Sequence, residues 1–191
     1  DAIRQYVRMH TDKPEELYQI YHAMIRGENY KAETLEVLME EGQPILKIGG
    51  NEIRAALGQM KDFVQKMILI TEKILPLGSV VEVDIRELKL ETEKPVSSIK
   101  VVIVDRFMKK ETEKQYVPYC GIIYPFGDSK KQLFFTEQAI HTVIHYGYTD
   151  RQEDAYVALI KREIIKKGYG SYSFAEAEDD KIRMLQSDIN L

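Results

Sequence analysis

His141 and His145 are spaced for metal chemistry: four residues apart on a helix, two imidazoles share a face and could share a zinc ion. The surrounding residues read instead as a helical turn, Thr136-Glu137-Gln138-Ala139-Ile140, running into a strand, Val143 to Tyr148. The pair then sits at a helix-to-strand junction, and spacing fixes no third ligand. Surface histidines are expected, with no metal and no cofactor. Cys120 would serve as a nucleophile only beside a base and an orienting group. It lies in the apolar run Tyr116–Tyr124 with no His or Asn assignable as partner, so an inert buried thiol is expected. Gly49-Gly50-Asn51 resembles an anion-binding turn but lacks the lysine and spacing of a phosphate loop, and reads as a turn and cap. Glu40-Glu41, Glu91-Thr92-Glu93 and Glu111-Thr112-Glu113 read as solvated turns, not as paired catalytic carboxylates. No catalytic residue is assigned, and an enzyme is not expected.

Composition narrows the classes further. With 27 basic and 31 acidic residues mixed along 191, the net charge is −4 and no basic stripe marks a nucleic-acid footprint. A hydrophobic share of 44 % supports a true core without disulfides or metal. The single cysteine excludes an internal disulfide and fits a reducing cytoplasm, the location expected here. No apolar run approaches the roughly 20 residues that cross a bilayer, so no membrane span is expected. No signal pattern stands at the start, which is Asp1 rather than methionine.

The elements that would position any site fall into three segments: 1–75, mainly helical with a hairpin at 34–48; 76–167, β-rich with a closing helix; and 168–191, a tail. Residues 1–10 show too little pattern to assign. Thr11-Asp12-Lys13-Pro14-Glu15-Glu16 starts a helix, Leu17, Ile20, Tyr21, Met24 and Ile25 give its buried face, and Gly27 ends it. Residues 32–50 fit a helix face through Leu35, Leu38 and Met39, or a hairpin of 34–37 with 45–48. Pro44 and Gly49-Gly50 favour the hairpin. A long helix is expected from Asn51 to Leu75, capped by Asn51 and stopped by Pro76. Ile53, Leu57, Met60, Val64, Met67, Thr71 and Ile74 alternate steps of four and three, a coiled-coil seam over about three heptads. Helix 12–26 and the carboxy-terminal helix could cover that seam; a waiting helical partner could also do so.

After the stop signal Leu75-Pro76-Leu77-Gly78, strands are expected at 79–85, 99–107, 116–124, 132–135 and 143–148. Val81, Val83 and Ile85 share one face of the first. The nearly all-apolar run 99–107 should be buried on both sides, and Pro118 demands an edge or a bulge. A charged loop fills 88–98. The fold class is α+β: amino-terminal helices with one long amphipathic helix, a small SH3-like antiparallel barrel or sheet, and a carboxy-terminal helix. That last helix starts at Thr149-Asp150-Arg151-Gln152-Glu153, carries Tyr156, Leu159, Ile160, Ile164 and Ile165, and ends at Gly168. Residues 168–173 look loop-like, and 175–191 are acidic, then weakly amphipathic, as a tail or docking helix. Tyr172-Ser173-Phe174-Ala175-Glu176 and Tyr146-Gly147-Tyr148-Thr149-Asp150 match a Tyr-x-x-x-acid export pattern that so many tyrosines and acids produce by chance.

Leu75-Pro76-Leu77-Gly78-Ser79-Val80-Val81, Val101–Val104, Tyr119-Cys120-Gly121-Ile122-Ile123-Tyr124-Pro125, Phe134-Phe135 and Ile144–Asp150 together carry a resemblance. Over about residues 74–165 the chain resembles a family of small Gram-positive proteins of unknown function, encoded beside LXG toxins of the type VII secretion system. The charged insertion at 86–98 departs from that family's pattern. The resemblance implies an accessory role as chaperone, adaptor or targeting factor, and transfers no catalytic residue. The partner it implies is helical, the amino-terminal region of a secreted toxin. Ile53, Leu57, Met60, Val64, Met67, Thr71 and Ile74, or an open barrel edge, would be the contact. An immunity protein and a structural homodimer are the rival readings.

Overall fold

The computed structural model describes residues 2–10, 13–88, 97–110 and 112–174. The chain divides into two compact units, Asp1–Ile74 and Leu75–Leu191. The first opens with helix α1 (Ala2–Met9), where no assignment was made from sequence. Its anchor is buried Tyr6, whose ring stacks on His10 at 4.0 Å. Helix α2 (Glu15–Arg26) begins after Pro14 with Glu15 and Glu16 at the positive end of its dipole. The expected caps Thr11 and Asp12 lie outside the described residues. Leu17, Ile20, Tyr21 and Met24 form its buried face as the spacing requires, while Ile25 is exposed. Gly27 closes the helix in the left-handed conformation, φ 70°.

The hairpin at 34–48 is present within an antiparallel sheet of β1 (Tyr30–Lys31), β2 (Leu35–Glu40), β3 (Gln43–Ile48) and β4 (Asn51–Arg54), in that order. Glu41 and Gly42, with φ of 50° and 78°, make the tight turn that matches strand twist. Leu35 pairs with Ile48 and Val37 with Leu46, all four buried. The first segment therefore combines its helices with a four-stranded sheet of which the expected hairpin is one part.

The expected helix over 51–75 requires correction. Gly49 and Gly50, at φ 53° and 77°, form a second reversing turn, so Asn51 enters a strand instead of capping a helix. Ile53 lies opposite Leu46, and helix α3 runs only over Leu57–Thr71, with Ala56 at its start and no capping side chain. A step of four between Ile53 and Leu57 looks helical in one dimension, yet joins a strand residue to a helix residue. Helix α3 packs on α2, α1 and β3 within this unit. Gln65 donates to the Tyr21 hydroxyl at 2.8 Å, and the Tyr18 hydroxyl donates to Glu72 at 2.9 Å. Each large apolar side chain buried here stabilises by roughly 1.5–3 kcal/mol.

The second unit comprises β5 (Val80–Asp84), the single turn α4 (Ile85–Leu88), β6 (Ser98–Lys110), β7 (Gln115–Ile123), β8 (Gln132–Phe135), β9 (Ile140–His145), α5 (Arg151–Lys167) and β10 (Gly170–Ser171). Short 3-10 turns occupy Glu137–Ala139 and Tyr172–Phe174. The sheet order is β10-β7-β6-β5-β9, with β8 also on β7. Among the described residues the two ends do not meet, so of the two expected forms, barrel or sheet, it is an open sheet without SH3-like closure. It is mixed, because β10 joins β7 in parallel. Most of the expected 88–98 loop, residues 89–96, lies outside the described residues.

Strand β6 is buried on one side only. Val101 and Ile103 face the core, Val104 and Asp105 face out, and a bulge falls at Val104 between the pairs Ile103–Gly121 and Asp105–Cys120. Pro118 avoids the ladder, as its missing N–H requires: β10 pairs with Gln115 and Tyr116, β8 with Tyr119 through Ile122.

Helix α5 starts where expected. The Asp150 carboxylate accepts from the backbone N–H groups of Gln152 and Glu153, both at 2.9 Å, and left-handed Gly168 ends it. Of the expected apolar face only Ile164 is buried. Much of the contact made by α5 is ionic: the buried Arg106 guanidinium pairs with Glu153, and Lys109 donates to Glu163 at 2.8 Å. The loop expected at 168–173 contains β10, while the tail or docking helix at 175–191 lies outside the described residues.

Candidate functional site

The seam named from sequence is committed to the interior of the first unit. Met60, Val64, Met67 and Thr71 are 2 % exposed or less, and Ile74 is also buried. Ile53 and Leu57 are half-buried, the former in β4. The five buried side chains cannot meet a partner without unfolding the unit.

The open edge offers little more by strand addition. Strand β9 has β5 on one side only, but its register shifts twice, between Val80 and Val81 and between Glu82 and Val83. Two irregularities in so short a strand twist it away from a regular ladder, a device that blunts edges. His141 and His145 lie on this strand, both exposed.

Exposed large apolar side chains recur along the sequence from the end of β9 onward. Ile144 is 49 % exposed, Tyr146 58 % and Tyr148 82 %, with exposed Leu77 beside them. The backbone explains why these rings stand outward. Gly147 is held against residues 77–79: its N–H donates to the Ser79 hydroxyl at 3.0 Å, and that hydroxyl donates to the Pro76 carbonyl at 2.8 Å. A Cβ on Gly147 would collide with the Leu77 carbonyl oxygen and lie 3.0 Å from the Ser79 nitrogen. On either side of Gly147, Tyr146 and Tyr148 stand exposed. Three residues further on, α5 adds Tyr156 at 50 % and Leu159 at 61 % exposure. Arg106 lies 6.0 Å from the Tyr156 ring centroid, close enough for a weak cation–π contact. A separate exposed pair, Tyr124 and Phe126, sits in the turn between β7 and β8.

Sequence reading missed this surface because it assigned Tyr156 and Leu159 to the buried side of α5. The inward stripe carries Glu153 and Lys161 beside Val157, Ile160 and Ile164, and charged residues in an interior stripe hide the true face. Tyr146-Gly147-Tyr148 was the available signal: a glycine between two tyrosines fits close backbone approach with the rings turned away.

The ionisable groups do not converge on a reaction centre among the described residues. No group of three or more His, Cys, Asp or Glu there is arranged to hold a metal ion. Burial, with the Asp105 charge, pushes the Cys120 thiol up to about 11, and the thiol lies 3.5 Å from the Gln132 side-chain oxygen. Burial also raises Glu137, against the Ser173 hydroxyl that donates to it at 2.7 Å and the nearby Lys161. Glu163 is held down at about 2 by hydrogen bonds from Lys109 and Lys167. In the first unit, Glu40, Glu41, Gln43, Pro44, Ile45 and Arg54 line a cleft of about 640 Å³. Its one cation, Arg54, is already bonded to Glu40 at 3.2 Å and, outside the cleft lining, to Glu52 at 2.6 Å.

Residues 74–156 match a family model described as a domain of unknown function (DUF4176), less than half of the chain. No curated protein and no solved structure matches this chain. The match begins at the boundary of the second unit and ends inside α5 at Tyr156, so it spans the exposed surface up to that residue. No helix among the described residues is long and apolar enough to cross a membrane.

Proposed function

We propose that this protein is a non-enzymatic accessory factor that binds an apolar segment of a partner protein through the second unit. The observation that carries the reading is the concentration of exposed large apolar side chains between Ile144 and Leu159. Aromatic rings held outward by a packed backbone supply contact area at small entropic cost, as binding surfaces do. The partner is the helical amino-terminal region of an LXG toxin of the type VII secretion system, met in the cytoplasm. Such a segment carries apolar faces that need cover before export. The family resemblance over 74–165 supports that choice of partner, and the surface supports the mode of contact.

Co-purification of the full chain with the amino-terminal region of the neighbouring LXG toxin tests this. A complex at micromolar concentration is expected from the unaltered chain, and loss of it from Tyr148→Glu with unchanged circular dichroism. Absence of any complex with the unaltered chain would overturn the proposal. Protection of cells from the toxin's carboxy-terminal domain would reassign the protein to immunity.

A further inference from the structure

The outward side of α5 has a charge pattern as well as an apolar centre. Arg151, Ala155, Leu159, Arg162 and Lys166 follow at steps of four, four, three and four, one stripe along the whole helix, with Tyr156 beside it. All six are exposed. Of the acids of α5, Glu153 and Glu163 are engaged within the unit by Arg106, Lys109 and Lys167, while Asp154 is exposed beside the stripe, three residues after Arg151. Arg151, Arg162 and Lys166 have no ion-pair partner among the described residues. The stripe is therefore apolar in the middle and cationic at both ends.

Arg151 makes the pattern more than a solvated face. Lys166 at the carboxy-terminal end complements the helix dipole, but Arg151 opens the first turn, where the dipole is already positive. Asp150 before it and Asp154 one turn on offset that charge in part, and an incoming anion would pair with the guanidinium directly. A second copy does not fit, because two such stripes would bring cation against cation. From Arg151 to Lys166 the stripe runs about 22 Å, the length of about four helical turns. Exposed Ala155 and Ala158 lower the surface beside Leu159 and leave room for another helix's side chains.

We infer that the outward face of α5 docks an amphipathic helix whose apolar stripe is bordered by acidic side chains. This rests on the reading that the second unit binds an apolar segment, and specifies the chemistry of that segment.

The test uses the full chain and fluorescein-labelled helical peptides of about 20 residues that share one leucine stripe. Their borders are glutamate, lysine or glutamine, and binding is read by anisotropy at physiological salt. Exposed ion pairs contribute a few-fold each, so the glutamate-bordered peptide is expected to bind about tenfold tighter than the lysine-bordered one. The preference should invert in Arg162→Glu/Lys166→Glu, and Leu159→Asn should weaken every peptide. Equal binding of all three peptides overturns the acidic specificity while leaving the apolar reading intact. No peptide binding alongside a positive toxin pull-down overturns this face as the contact and spares the proposed function. Charge-reversal-sensitive binding to phosphatidylserine vesicles that exceeds peptide binding would assign the face to membranes. Peptide binding seen only after removal of residues 175–191 would assign it to the chain's own segment. Either result overturns the inference.

Discussion

Gly147→Ala tests the arrangement that holds the tyrosines outward. The new methyl would overlap the Leu77 carbonyl oxygen and lie 2.9 Å from the Leu77 carbonyl carbon, so residues 146–148 must move off residues 77–79. The movement breaks the 3.0 Å bond from Gly147 N–H to the Ser79 hydroxyl, which is fully buried. Losing that bond costs about 1 kcal/mol, and overpacking against backbone adds roughly 1–3 kcal/mol. The total is ~2–4 kcal/mol, a fall of about 1–2 M in urea midpoint for a small domain. Urea unfolding read by circular dichroism gives the global value. Hydrogen exchange in peptides covering 77–81 and 143–149 locates it. Ser79→Ala removes that acceptor and the bond to the Pro76 carbonyl as well, and should cost about 2 kcal/mol. The double variant should cost less than the sum, because both changes remove the same contact. A Gly147→Ala protein within 0.5 kcal/mol of the original, with unchanged exchange in both peptides, would refute the reasoning.

Three further outcomes are expected. Glu153→Gln leaves the buried Arg106 guanidinium without its counter-charge and should destabilise by roughly 2–4 kcal/mol in urea unfolding; Arg106→Met/Glu153→Leu should recover most of that loss. Glu163, held at about 2 by Lys109 and Lys167 against an ordinary value of 4.5, contributes stability that is present above pH 4.5 and lost as pH falls toward 2. Acid unfolding of Glu163→Gln should lack that component, and superimposable acid limbs would contradict it. Met60→Ala should cost about 2–5 kcal/mol by opening a cavity in the first unit, while affinity for the partner of the second unit stays unchanged.

Some of this molecule was legible in its residues. The α2 face apart from Ile25, the Gly27 stop, the hairpin joining 34–37 to 45–48, and the capped start of α5 each rest on a local rule, and each is present. The long seam misled because step size alone cannot tell a helix from a strand followed by a helix. The deciding fact was the backbone conformation of Gly49-Gly50. Strand order was out of reach for a different reason. The parallel pairing of Gly170 with Gln115 joins residues that no periodicity connects. The candidate residues were hidden because α5 turns charged Glu153 and Lys161 inward beside Val157, Ile160 and Ile164, and leaves apolar Leu159 outward, which blurs the hydropathic rule. Ion pairs from Glu153 and Glu163 to β6 accompany that rotation, and only the fold reveals them.

The late arrival of β10 has a consequence for biosynthesis. Gln115 and Tyr116 emerge from the ribosome long before Gly170 and Ser171, the strand that covers their outer edge. Until translation reaches that point, this stretch of β7 is a bare template beside a hydrophobic sheet, open to capture by another nascent chain. A premature stop anywhere before residue 170 would leave the exposure permanent, and the shortened product would be expected to collect in inclusion bodies.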